Sequence, residues 1–453
     1  MTFLTDKRLL TRLAWLAAFL LSVVLLLLGF YHNTWAVVRP GKFKNFQLDS
    51  ESLVLARMVE SRQHGIFAQN GLLGWGDADP ANLNESDYTH QYDVYLAGAG
   101  FHTYSLYKSV SGFQAMIFSA LDEISSFSPA VNLRNFRVLV SLLFALVLSA
   151  FLLWVLYEFG WLTFALALLT TLVSGWITVF GRNLFYSIWA SFLPLALLSW
   201  YLAWEQRKGQ LSDLLLAAAG FAGILWKCMI NGYDFIIPAL AMPLVPLVYY
   251  GFREGWGPRL FGRRLGALIL SVAAAVIVSL LILSAQLRVS EGSFAGGLIS
   301  IFRTLSRRSY GDPSMFPGYE ASLEASPWSV LWTYIAKDTA ISVLGINFLQ
   351  LMIGFAAFTL LFAGLDRWRP FSLGTRRKAY ALMAATWISL LSPVSWFLIF
   401  KGQAYVHTFT NYLAWHMPFT LLGFAFCGYV LRAVISLVRS PRPSPAVMER
   451  PGS

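Results

Sequence analysis

Apolar runs of roughly twenty residues recur along the whole chain, near 12–32, 136–157, 161–180, 185–204, 211–229, 235–250, 265–287, 339–363, 379–400 and 412–437. Each is about the length that a helix needs to cross the hydrocarbon core of a bilayer. The expected fold class is therefore an all-α polytopic membrane protein with about ten transmembrane helices. Composition agrees: of 453 residues, 57% are apolar, 16% aromatic and only 13% charged, and the mean hydropathy of +0.59 lies far from that of a soluble globular domain. The first run, Leu13 to Tyr31, follows the basic segment KRLLTR without a small-x-small cleavage pattern. It is longer than the apolar core of a signal peptide and is read as a retained anchor.

A net charge of +11 might suggest a nucleic-acid partner, but the cations sit in short clusters between the apolar runs, as membrane orientation requires. The clusters are Lys7, Arg8 and Arg12; Arg207 and Lys208; Arg253, Arg259, Arg263 and Arg264; Arg367, Arg369, Arg376, Arg377 and Lys378; and Arg439, Arg442 and Arg450. With ten spans all five fall on one side, so both termini are expected in the cytoplasm and no nucleic-acid partner is expected. The chain then reads as a single integral membrane domain, 1–453, ending in a disordered cytoplasmic tail, 439–453. Two segments too long for simple connectors, 33–135 and 288–338, become large extracytoplasmic loops. No internal repeat of 20–50 residues is evident. Cys228 and Cys427 lie in apolar runs and form no metal or disulfide motif.

The first loop contains turn material, GLLGWGDADPANLNESD, followed by SVSGFQAMIFSALDEI, where Phe113, Met116, Ile117, Leu121 and Ile124 recur at helical spacing. Such a helix is expected to lie along the membrane surface, or else to pack on the loop's own fold.

Polar residues near the spans gather at the side of the long loops. Arg182 and Asn183 occupy the turn between spans three and four, Lys227 lies near the end of span five, Asp234 opens span six, and Lys401 and His407 occupy the turn before span ten. Charged groups at such depth mark functional sites by default. Bland roles stay open beside that reading: headgroup contact for Arg182 and Lys401, an ion pair for Lys227 with Asp234, an ordinary interfacial histidine for His407. In the second loop Arg303, Arg307 and Arg308 form a basic edge suited to phosphate, ahead of a turn at Tyr310-Gly311-Asp312-Pro313.

The stretch NFQLDSESLVLARMVESRQHG reads as a helix entered through Asp49 or Ser50, with Glu51 in its first turn. Acids there are favoured by the helix dipole alone. The other reading makes Asp49 a general base, taking the proton of an attacking hydroxyl while cations hold a departing phosphate.

A cytoplasmic N-terminus, one span and then a long outer loop with an acidic motif near its start resemble the GT-C superfamily of polytopic membrane glycosyltransferases, which use polyprenyl-phosphate-linked sugar donors. The resemblance implies Asp49 as the principal acid with Glu51 beside it as catalytic residues. It further implies donor-phosphate or acceptor contacts from Arg182, Asn183, Lys227, Asp234, Arg308, Asp312, Lys401 and His407. The acids here are spaced D-S-E, whereas several branches carry them adjacent. Implied partners are membrane lipid, a polyprenyl-phosphate-linked sugar and an extracytoplasmic glycan, lipid or protein acceptor; the implied cofactor, if any, is a divalent cation, Mg or Mn. The strings GRNLFYSIW, KCMINGYDF, RSYGDP and SWFLIFKGQAYVHTFTNYLAW resemble those of bacterial polytopic membrane proteins. That likeness implies residence in a bacterial inner membrane. The expected activity is sugar transfer in cell-envelope glycan or glycolipid assembly. The alternatives are a polymerase or ligase of lipid-linked glycans, a transporter or flippase, and a non-catalytic assembly partner.

Overall fold

The computed structural model describes residues 7–337 and 345–439. The tail expected to be disordered lies, beyond Arg439, outside the described residues. Among them the chain is helical apart from one two-stranded ribbon, which makes this an all-α, multi-pass integral membrane protein. Eight helical stretches are long and apolar enough to cross a bilayer: Leu9–His32, Pro129–Phe159, Asp213–Asn231, Ile236–Glu254, Pro258–Glu291, Phe348–Trp368, Leu373–Ile399 and Phe419–Arg439.

The elements run in chain order as α1 (Lys7–His32), α2 (Pro40–Asn45), α3 (Leu48–His64), β1 (Leu73–Gly76), α4 (Glu85–Ala97), β2 (Tyr104–Tyr107), α5 (Phe113–Ile124) and α6 (Pro129–Phe159). The apolar run 161–180 forms two pieces, α7 (Trp161–Leu172) and α8 (Gly175–Phe180). They are separated at Ser174, whose hydroxyl caps Ile177 N–H at 3.4 Å. The next run begins later than its apolar pattern suggests, as α9 (Trp189–Lys208). Then follow α10 (Asp213–Asn231), α11 (Ile236–Ala241), α12 (Leu244–Glu254), α13 (Pro258–Glu291), α14 (Phe294–Arg308), α15 (Glu320–Glu324) and α16 (Pro327–Ala336). The last helices are α17 (Phe348–Trp368), α18 (Leu373–Ser389), α19 (Leu391–Ile399), α20 (Lys401–Val406) and α21 (Phe419–Arg439).

The basic clusters gather at one end of the bundle, where buried carboxylates hold them. Glu158, closing α6, pairs with Arg253 of α12 at 2.6 Å and Lys378 of α18 at 3.3 Å, and it accepts the Tyr249 and Tyr250 hydroxyls at 2.9 and 2.8 Å. Glu205, near the end of α9, binds buried Arg264 of α13 and accepts Ser212 N–H at 2.8 Å. Trp15 near the start of α1 meets Tyr157 edge-on at 5.8 Å, which brings the N-terminal cluster to the same end. Breaking one partner of a buried pair costs about 3–5 kcal/mol, so these contacts hold the helix ends in register.

At the other end, the segment between α1 and α6 builds its own small core from Leu53, Val54, Met58, Leu73, Tyr95, Phe101, Phe118 and Phe136. Helix α3 is buried from Ser50 through Ser61. Its arginines serve this packing: Arg57 donates to Ala68 O at 2.6 Å and to Ile66 O, and Arg62 pairs with Asp122 at 2.6 Å. Asp122 also accepts Tyr95 O–H at 2.8 Å and Asn132 Nδ2 at 2.7 Å, tying α3, α4, α5 and α6 together.

Helix α5 therefore turns its polar side inward. Gln114, Ser119 and Asp122 are buried, whereas Ile124 is 81% exposed and Phe113, Met116, Ile117 and Leu121 are half-buried. Both expectations for this helix hold one side of it: the polar face packs on the loop's own fold, and the apolar face is left outward. The GLLGWG segment, read from sequence as turn material, instead forms β1, which pairs antiparallel with β2.

Candidate functional site

Three separated segments converge at this second end. The first is the start of α3. Its cap residue is Gln47, one position before Leu48, so the helix is not entered through Asp49 or Ser50. Gln47 Nε2 donates to Val179 O at 3.0 Å, and Asn183 Nδ2 donates to Ser50 Oγ at 2.9 Å; these bonds anchor the turn onto the 179–184 segment. Asp49 accepts the N–H of Ser50 at 2.6 Å and is otherwise turned toward a cavity. Burial raises its pKa above the ordinary 3.8, and the Ser50 N–H and the more distant Lys42 only partly oppose this.

Glu51 points elsewhere. Residues two apart on a helix are separated by about 200° around its axis. Fully buried Glu51 accepts Tyr92 O–H at 2.9 Å, Leu184 N–H at 3.2 Å and Arg137 Nε at 3.0 Å. Its carboxylate is saturated by groups that join α3 to α4, α6 and the 184 turn, so the two acids do not share a site.

The second segment is the turn after α10. Lys227, fully buried, donates to Gly232 O and Asp234 O, both at 2.7 Å. It clamps this turn through backbone carbonyls and does not line the cavity. The turn needs the left-handed conformation at Gly232, φ +63°, where a Cβ would lie 2.3 Å from Val110. Thus held, Asp234 pairs with Arg308 Nη1 at 3.3 Å. Arg308 Nη2 donates to Tyr107 O–H at 3.2 Å, and its Nε is buried without a partner.

The third segment is α20 and its exit. A Cβ at Gly402 would lie 2.8 Å from Arg307 O, so only glycine lets α20 approach the end of α14 this closely. Lys401 is buried and donates to Leu323 O and to Ala325 O, the latter at 2.8 Å, with its ammonium 4.9 Å from the Tyr310 ring centre. His407 follows α20. Burial lowers the pKa of its imidazole, as do Arg308 and Arg307, against an opposing pull from Asp234.

The shared cavity has a volume of about 290 Å³. Asp49, Asp234, Arg308 and His407 all line it, joined by Arg307 and Gln403. A run of aromatic side chains, Trp75, Tyr107, Phe185 and Tyr186, completes much of the wall. Adjoining it is a second space of about 300 Å³, lined mainly by apolar residues of α11, α13 and α14, including Ile236, Leu240, Leu283, Leu298 and Ile301. Arg308 lines both spaces.

The remaining sequence candidates lie outside the cavity lining. Arg182 donates to Tyr31 O and Phe43 O at 3.5 and 3.2 Å and stacks 4.0 Å from the Phe43 ring centre. Asn183 organises the α3 entry. Exposed Asp312 caps its own turn, accepting Ser314 N–H at 3.0 Å, and the Ser314 bonds lower its pKa. Among the described residues, no three His, Cys, Asp or Glu side chains are grouped to hold a metal ion.

Sequence reading passed over Trp75, Tyr107, Tyr186 and Gln403. Their only local signal was an aromatic in a glycine-rich stretch and polar residues beside His407. Arg307 was visible as part of the basic edge, whereas Arg303 is exposed and apart from it. No family model, curated protein or solved structure matches this chain.

Proposed function

We propose that this chain is an integral membrane glycosyltransferase of GT-C type. It moves a sugar from a polyprenyl-phosphate-linked donor to an acceptor hydroxyl at the extracytoplasmic face of a bacterial inner membrane, in envelope glycan or glycolipid assembly. One observation carries the reading: buried Arg308 lies at the junction of an apolar groove and a polar cavity that also holds Asp49. An isoprenoid chain suits the groove. The phosphate at its end then meets Arg308 and Arg307 through charge-assisted hydrogen bonds.

The chemistry follows from the charges. The acceptor oxygen attacks the anomeric carbon, Asp49 takes its proton, and the bond from that carbon to the phosphate oxygen breaks with its electron pair going to the phosphate. The arginines stabilise the charge that develops there. Burial makes Asp49 a stronger base than an exposed carboxylate. Asp234 orients Arg308, Lys227 holds the Asp234 turn, and Glu51 fixes the scaffold that presents Asp49. Neutral His407 is suited to hydrogen bonding with phosphate or sugar. None of these roles requires a divalent ion.

The test is Asp49→Asn in membranes supplied with polyprenyl-phosphate sugars, with protein abundance matched and Asp312→Asn as control. Loss of a positioned base lowers turnover by about 10²–10⁴-fold, and the control retains wild-type turnover. Wild-type turnover in Asp49→Asn rejects the assignment. The bond from Ser50 N–H to Asp49 is also what a purely capping residue would make. It keeps a second reading alive, a polymerase or ligase of lipid-linked glycans that depends on Arg307 and Arg308 and tolerates Asp49→Asn.

A further inference from the structure

Trp75 has a buried donor that the protein leaves unused. Indole Nε1 is inaccessible to solvent, makes no hydrogen bond, and belongs to a residue lining the cavity. An unsatisfied buried N–H costs about 1–3 kcal/mol, which favours a ligand that supplies an oxygen.

The local sequence explains why the ring is presented there. In β1, Gly74 and Gly76 flank Trp75 and share one face of the strand, since side chains alternate. A Cβ at Gly74 would lie 2.4 Å from Ser105 O, and one at Gly76 would lie 2.0 Å from the Phe101 ring. Only glycines let the strand close down on that side, leaving Trp75 on the opposite face. The mount is rigid: Gln91 brackets Gly76 through bonds of 3.0 and 2.8 Å to its N–H and C=O. Asp77 secures the next turn, accepting the N–H groups of His102 and Thr103 at 2.9 and 2.8 Å. The indole continues into an aromatic series, Trp75 to Tyr107 at 5.4 Å and Tyr107 to Phe185 at 6.3 Å, both edge-on.

The cavity residues from this part of the chain, 49–107, include no arginine or lysine; both cavity cations come from α14. An aromatic face with an unused N–H, beside an aspartate and without a local cation, suits the C–H face and hydroxyls of an uncharged sugar and disfavours an anion. We infer that Trp75 forms a subsite for a neutral pyranose, which stacks on the indole and accepts a hydrogen bond from Nε1. Within the proposed transferase this subsite holds the acceptor, so the inference about its role rests on that reading. The acceptor class is then carbohydrate, presented to Asp49 from the wall built by the first long segment. The donor phosphate approaches from α14.

Binding can be measured without the donor. The full chain in lipid nanodiscs is examined by saturation-transfer NMR with methyl glycosides of glucose, galactose, mannose and N-acetylglucosamine, and with glucose 6-phosphate as the charged comparison. At least one neutral glycoside should receive saturation through its ring protons, more strongly than the phosphate. Its affinity should fall roughly tenfold in Trp75→Phe, which keeps the ring and removes the donor, and further in Trp75→Ala. Asp49→Asn should retain glycoside binding. Absence of saturation for every glycoside with the wild type, or equal binding by the wild type and both Trp75 variants, overturns the subsite. If Trp75-dependent binding persists while Asp49→Asn turns over donor normally, the subsite stands and the base assignment fails.

Discussion

Arg308 is where donor recognition and stability separate. Replacing it with Ala removes the Asp234 partner at 3.3 Å and the Tyr107 partner at 3.2 Å in a site where both carboxylate and guanidinium are about 90% buried. An uncompensated buried charge costs about 3–5 kcal/mol, the lower part of that range being apt beside a hydrated cavity. Hydrogen bonds to charged groups contribute about 1.5–3 kcal/mol, and 1.4 kcal/mol is a factor of ten, so donor affinity should fall by roughly 10- to 100-fold. The two effects come apart in a double-variant cycle. Arg308→Ala should lower both thermal midpoint and affinity for polyprenyl phosphate, measured on purified protein in detergent. Arg308→Ala with Asp234→Ala should recover much of the midpoint, because no buried carboxylate is left unpaired, but none of the affinity. Arg308→Lys should keep the charge and lose the two-pronged geometry, giving an intermediate affinity. Wild-type binding of polyprenyl phosphate by both Arg308→Ala proteins would refute the role of this arginine at the head of the groove.

Two further outcomes follow from the carboxylates of α3. Burial holds Asp49 above its ordinary pKa of 3.8, so the basic form needed for turnover is lost as pH falls through the raised value. The acid limb of kcat/KM should therefore lie above pH 3.8 and be absent from the residual rate of Asp49→Asn; a limb at or below the ordinary value contradicts the burial argument. The same shift makes Asp49 favour folding most on the acid side, with its contribution declining as pH rises from 3.8 to the raised value. For Glu51, substitution by Ala strands Arg137 and the Leu184 N–H. It should cost about 3 kcal/mol of stability, seen as a lower thermal midpoint, while Glu51→Gln retains more. A Glu51→Ala protein that melts like wild type yet loses turnover would return Glu51 to the chemistry.

The resemblance paired Asp49 with Glu51 because adjacency along the chain was all it had. On α3 the two carboxylates diverge around the helix, one to the cavity and one to Arg137. Asp234, expected among phosphate contacts, instead supplies the second cavity carboxylate and orients Arg308. Lys227 and Lys401 were noticed because charge near a membrane is costly, and the cost is met by backbone carbonyls, a partner that sequence spacing does not reveal. Trp75 was hidden for the opposite reason: glycines on either side resemble a turn until Phe101 and Tyr104 are brought against them.

Membrane residence and the grouping of basic helix ends were legible because both depend on local sums. A span needs only enough consecutive apolar residues, and each cationic cluster lies beside the helix end it marks. The membership of the cavity was decided by tertiary structure. Asp49, Trp75, Asp234, Arg308 and His407 meet across more than three hundred residues of chain only after α3, α14 and α20 have packed. Which way each side chain faces on that packed helix, inward to a partner or into the cavity, is a property of its neighbours in space.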